Sequence, residues 1–128
     1  MKLPLWMRIT LLATAVMNLT GAAAFLPSAT ALRQMGGLPE GGHPLYMLTV
    51  AAFIFIFGLA YGWAGLSGRA DRQFIAVGAA GKLAFFALLV WCCCAGSLPL
   101  KAVGAGVGDL VFGVLFALWL FKSRKSAD

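Results

Sequence analysis

The sequence predicts an all-α fold: an integral membrane, up-down four-helix bundle forming a single domain over residues 1–128. Three observations carry that reading. The chain of 128 residues is 62% hydrophobic and only 11% charged, with a mean hydropathy of +0.92; a soluble domain of this size needs more polar surface. The apolar residues fall into four runs, at about 3–26, 45–66, 74–95 and 100–121, each near the ~20 residues a helix needs to cross ~30 Å of hydrocarbon. Most basic residues stand at the ends of those runs, so the formal charge of +6 reads as membrane topology and not as a stripe for nucleic acid.

The runs must be helical, because hydrocarbon offers no water to satisfy an open backbone. In the first, Lys2 and Arg8 precede an apolar stretch that reaches Ala22-Ala23-Ala24, which also resembles a signal peptide with a small-residue cleavage site. The stretch continues through Phe25 and Leu26, and Asn18 and Thr20 interrupt it. These features favour an uncleaved span and leave cleavage as the alternative. The connection from Pro27 to Pro44 is long enough for a short interfacial helix, capped by Ser28, running through Leu32 and Met35, and stopped by Gly36-Gly37. Glu40, Gly41, Gly42 and His43 then predict a flexible outer loop.

The second and third runs are joined by residues 68–73, with Asp71 as the expected N-cap of the third. Residues 96–99 join the third to the fourth. Connections this short predict antiparallel neighbours. Lys2, Arg8, Arg69, Arg72, Lys122, Arg124 and Lys125 would then share one side, with Arg33 and Lys101 on the other. Seven against two places both termini and the 68–73 connection in the cytoplasm. Cleavage of the first run would leave the other three in that orientation.

Lys82 and Asp109 are the most informative pair, since each lies inside an apolar run with no other charged residue within seven positions. An ionisable side chain near the bilayer centre faces a partner, a polar cavity or a ligand path. At 1.5 Å per residue, Lys82 stands ~15 Å above Arg72, Asp109 ~20 Å above Lys122, and Asn18 ~15 Å beyond Arg8. Three polar side chains on three helices are therefore expected in one layer. Gly78, Gly81, Ala105, Gly113, Gly104-xxx-Gly108 and Gly58-xxx-Gly62 surround this layer or mark the second run; such spacing lets membrane helices approach closely. Phe53, Phe57 and Tyr61 form an i, i+4, i+8 stripe on the second run, and Phe85, Phe86, Phe112 and Phe116 lie within about a turn of the charges.

Lys82, Asp109, Asn18, Tyr61 and Phe57 are thus the candidate ligand-binding or proton-handling residues. The alternative for the ion pair is fixing helix register. For Asn18 it is an interhelical hydrogen bond, and for the aromatics it is packing or lipid contact.

No catalytic constellation, metal site or cofactor motif is visible. Cys92, Cys93 and Cys94 are consecutive, with no CxxC. Successive helical residues point ~100° apart, so the thiols cannot converge on one metal; they read as apolar filler. His43 and Glu40 offer an outer-loop ligand pair or, more simply, a solvated loop. Trp6, Trp63, Trp91, Trp119 and Tyr46 stand near run ends, where interfacial anchors belong.

Gly58-Leu59-Ala60-Tyr61-Gly62, Gly81-Lys82-Leu83-Ala84-Phe85-Phe86 and Gly108-Asp109-Leu110-Val111-Phe112-Gly113 together resemble a group of small, uncharacterised four-helix bacterial inner-membrane proteins, distantly similar to the DoxX-like proteins. The resemblance implies a four-helix fold in a bacterial inner membrane and assigns no activity. The expected role is non-enzymatic: a small membrane subunit or a binder of a small amphipathic ligand. The lateral surface is large for a 13.5 kDa chain, which suits a homo-oligomer or a larger membrane partner. The rivals are a proton-coupled transporter or carrier component acting as an oligomer, and a membrane-bound, redox-linked enzyme.

Overall fold

The structure is a computed structural model that describes the backbone of residues 2–127 and the side chains of residues 2–124. The outermost residues of the expected domain, and the Lys125 side chain counted with the basic end, lie outside the described residues. The described chain is all-helical: α1 (Leu5–Ala24), α2 (Thr30–Gly36), α3 (Pro44–Ser67), α4 (Arg72–Cys94), α5 (Leu100–Ala105) and α6 (Val107–Ala127). Three of these, α1, α3 and α4, are long and apolar enough to cross a membrane.

The fourth apolar run is not one helix. It breaks at Gly106 between α5 and α6, and α6 alone has too short an apolar stretch before Lys122 and Arg124. Gly104, Gly106 and Gly108 weaken the helix here. Gly106 is also buried against α4, where a Cβ would collide with the Leu89 side chain. Of the expected Gly104-xxx-Gly108 packing motif, only Gly108 is at a contact, with Met17 Sδ 2.5 Å from where a Cβ would stand; Gly104 faces open space.

Local signals set the other helix ends. Pro44 opens α3, and His43 Nδ1 accepts the Leu45 N–H at 3.1 Å. Gly68, at φ 74°, supplies the left-handed residue that ends α3. Asp71 caps α4 as expected, accepting the Gln73 N–H at 3.2 Å. The short helix expected in the first connection, α2, also exists and stops at Gly36 with Gly37 at φ 71°. Its N-cap is Ala29 and not Ser28, without a side-chain cap bond. Arg33 anchors this segment: its guanidinium donates to the carbonyls of Ala24 (3.1 Å), Leu26 (2.5 Å) and Pro27 (3.1 Å). The Ala24 carbonyl is the last of α1, the other two lie in the connection that follows, and Arg33 is almost fully buried among them.

Packing is pairwise. The α1 helix lies along α3 and α4 lies along α6, while α1 also touches α6. Hydrocarbon gives helices no hydrophobic incentive to associate, so close van der Waals fit must do so. Gly58 and Gly65 provide it for α1 and α3: a Cβ at Gly58 would stand 3.0 Å from Asn18 Cβ, and one at Gly65 would stand 2.7 Å from Leu12 Cγ. The core built from Met7, Leu11, Ile75 and Phe116, each fully buried, sits toward the basic end. Cross-ties close that end. Arg8 donates to the Gly65 and Leu66 carbonyls, both at 2.9 Å; Arg72 donates to the Leu120 carbonyl at 3.0 Å and to Ser123 Oγ; the Leu3 N–H reaches the Gly68 carbonyl at 2.8 Å.

Trp119 departs from the anchor pattern. It is buried in this core beneath the Arg72 guanidinium, whereas Trp6, Trp63, Trp91 and Tyr46 are exposed. Consecutive helices α3 and α4 do not pack backbone to backbone despite their short loop. Rings bridge the gap: Tyr61 meets Phe74 at 5.4 Å between centroids, and Phe57 stacks on Phe74 at 6.3 Å.

Candidate functional site: a polar node beside an aromatic crevice

Lys82, on α4, is only 6% exposed. Its Nζ donates to Asn18 Oδ1 on α1 at 3.1 Å and to Asp109 Oδ1 on α6 at 3.3 Å. The depth count along the sequence thus brings all three together. Asp109 is more open, at 21%. It stands in the first turn of α6, where unsatisfied N–H groups and the helix dipole favour a carboxylate. The break at Gly106 creates that first turn, so an apparent flaw in the fourth run gives the negative charge a favourable position. Gly113 then lets α6 approach α4, since a Cβ there would stand 3.4 Å from Lys82 Cβ.

Asn18 closes the node onto the remaining long helix. Its Nδ2 donates to the Ile54 carbonyl on α3 at 3.0 Å. That carbonyl is reachable because Gly58, one turn on, has no side chain to keep Asn18 away. One lysine, one amide and one carboxylate therefore tie α1, α3, α4 and α6 together at a single level. The backbone acceptor is the member of the node that sequence reasoning missed; Gly58 was its signal.

Tyr61 lies under this node, 2% exposed, with its ring centroid 5.3 Å from Lys82 Nζ. This is within the range of a cation–π contact. The ring is wedged among Phe57, Phe74 and Phe116. Gly78 makes space for it, because a Cβ there would come 2.7 Å from the Tyr61 hydroxyl.

Where α3 and α4 diverge, an open-sided crevice of about 250 Å³ reaches Lys82 and Asn18. Phe53, Phe57 and Tyr61 form one wall; Val77, Gly78 and Gly81 form the other. A second hollow of about 450 Å³ shares Phe57 and Val77 and continues past Phe74 to Asp71 and Gln73. The two hollows share a wall, and the stacked Phe57 and Phe74 rings stand at their border.

All five candidate residues thus belong to the node or its immediate wall. The other aromatics divide. Phe116 packs on Tyr61, whereas Phe85 lines a separate apolar hollow of about 530 Å³ beneath α2. Phe74, Val77 and Gly81 were not singled out as site residues, although their i, i+3, i+7 spacing puts them on one face of α4.

The remaining sequence candidates have structural positions. Glu40 stands 4.0 Å from Arg33, and His43 caps α3. Cys92 and Cys93 are half-buried and Cys94 is exposed, all as free thiols. Among the described residues, no group of three His, Cys, Asp or Glu is arranged to hold a metal. No family model, curated protein or solved structure matches the chain.

Proposed function

We propose that this protein is a non-enzymatic, four-crossing membrane protein that binds a small amphipathic molecule in the crevice between α3 and α4. In this reading α5 and α6 together make the fourth crossing, and the basic end faces the cytoplasm of a bacterial inner membrane. The observation that carries it is the parting of α3 and α4 beside a buried, hydrogen-bonding lysine. Apolar walls with a few convergent polar groups are the usual make-up of a small-molecule site. A bundle that needed only rigidity would close two helices joined by so short a loop.

Gly81 provides the test, because it lines the crevice and a Cβ there would meet nothing within 4 Å. Native mass spectrometry of the gently solubilised protein should find a retained amphiphile. Gly81→Leu should lose it while keeping or raising the melting temperature, since leucine favours helix over glycine by up to about 1 kcal/mol. Equal retention by both proteins, or none by the parent, would sink the proposal. Proton-driven flux in proteoliposomes that Asp109→Asn abolished would assign the node to transport instead.

A further inference from the structure

We infer that the crevice selects an amphiphile whose head is an uncharged hydrogen-bond acceptor, such as a ketone or ester oxygen, over a carboxylate or an ammonium. This deepens the proposed binding role and rests on it.

Charge is the first argument. Lys82 and Asp109 are 3.3 Å apart and sum to zero, and Asn18 adds no charge. Lys82 is the sole charged side chain lining the crevice at this level. An incoming carboxylate would find the lysine's charge already matched, would be repelled by Asp109, and would leave one net negative charge in apolar surroundings. An ammonium head would meet Lys82 first, with the carboxylate behind it. Either ion would give up its hydration without a free counter-charge, and that loss outweighs the gain unless the pairing is excellent.

Hydrogen bonding is the second. A lysine ammonium has three N–H donors and no acceptor. Among the described residues, Lys82 Nζ has two acceptors, Asn18 Oδ1 and Asp109 Oδ1. That leaves one N–H without an oxygen acceptor among the described residues, on a lysine that lines the crevice beside the Tyr61 ring. A buried donor left unmatched is costly, and a neutral oxygen satisfies it without changing the net charge. Shape is the third argument. Phe53, Ile54, Phe57 and Val77 line the crevice beside Lys82 with apolar surface, which accommodates a chain behind the head.

The experiment uses the full chain in phosphatidylcholine nanodiscs and three photoreactive probes of equal chain length. One carries a methyl ketone head, one a carboxylate and one a trimethylammonium. Crosslinks are mapped by mass spectrometry. In the parent protein the ketone should label α3 and α4 around Phe57 and Val77 at least about tenfold more than either ion. Gly81→Leu should abolish the labelling. Asp109→Asn should reverse the order of ketone and carboxylate, because Lys82 then lacks its counter-charge and an anionic head supplies one. Asn18→Asp, which adds a negative charge on the other side of Lys82, should raise labelling by the ammonium probe, and it serves as the second variant if Asp109→Asn does not fold.

Carboxylate labelling equal to or above ketone labelling in the parent would overturn the selectivity and leave the binding role intact. An unchanged order in a folded Asp109→Asn protein would do the same. Absence of crevice labelling by all three probes would overturn the binding role itself.

Discussion

Lys82 stands in an apolar layer with an oxygen from each of α1 and α6 and the face of Tyr61 from α3. The arrangement resists partial removal. Lys82→Met leaves Asp109 without its cation, and Asp109→Leu leaves Lys82 with a neutral amide alone. Each single variant should lose about 2.5–3.5 kcal/mol, the insertion cost of an unmatched charge at mid-membrane. The double variant should fold within about 1 kcal/mol of the parent, since an apolar pair of similar volume often replaces a buried ion pair at little cost. Unfolding free energies from titration with a denaturing detergent in mixed micelles would decide this; a double variant worse than both singles would contradict the pairing. Loss of ligand binding in a well-folded double variant would separate the node's chemical role from its structural one. Arg33 shows the complementary case. It reads as an outer-side charge in the sequence, yet it is buried, with its guanidinium on the carbonyls of Ala24, Leu26 and Pro27.

At the level of helices, α5 and α6 meet at Gly106, which α4 crowds through Leu89. Gly106→Ala should both collide with Leu89 and favour a continuous helix, which would move Asp109 out of a first turn. A loss of about 1–3 kcal/mol is expected from overpacking, with part of it recovered when Leu89→Ala is added. Strict additivity in that double-mutant cycle would show that the two residues do not share the contact. Much of the helical layout was legible in the sequence. The expected runs 45–66 and 74–95 lie close to Pro44–Ser67 and Arg72–Cys94, because membrane thickness fixes their length and Asp71 and Gly68 mark their ends. The meeting of Lys82, Asp109 and Asn18 was legible too, since depth follows from counting residues along a helix. The break at Gly106 was not, because glycine in an apolar run marks a weak point and a packing contact alike. Nor was the parting of α3 and α4. Gly58 and Gly81 look equivalent in sequence, yet Asn18 fills the space at one and the crevice occupies the other. That difference belongs to pairs of helices and leaves no periodic trace in either strip of sequence. Trp119 fails for a similar reason: proximity to a helix end is readable, but whether the ring turns toward lipid or toward Arg72 depends on what packs opposite.

Across the whole molecule, charge separates more sharply in three dimensions than in the sequence. Contacts gather Arg8, Arg72 and Lys122 at one end, with the Lys2–Arg69 bridge beside them. At the other end Arg33 is buried and near Glu40, which leaves Lys101 as that end's exposed lysine or arginine among the described residues. Basic residues flanking spans are retained in the cytoplasm, so the end bearing Cys94 should face outward. In intact spheroplasts a membrane-impermeant maleimide should label the exposed Cys94 of the parent chain. In a background where Cys92, Cys93 and Cys94 are serine, Ser67→Cys should stay unlabelled until the membrane is permeabilised; the opposite pattern would invert the orientation. Arg124→Cys in the same background addresses the broken run. If α5 and α6 together complete a crossing, Arg124→Cys shares the protection of Ser67→Cys. If the chain turns back at Gly106, Arg124→Cys is labelled from outside. Asp109 would then stand at a water-facing bend, and a carboxylate in water has no need of Lys82.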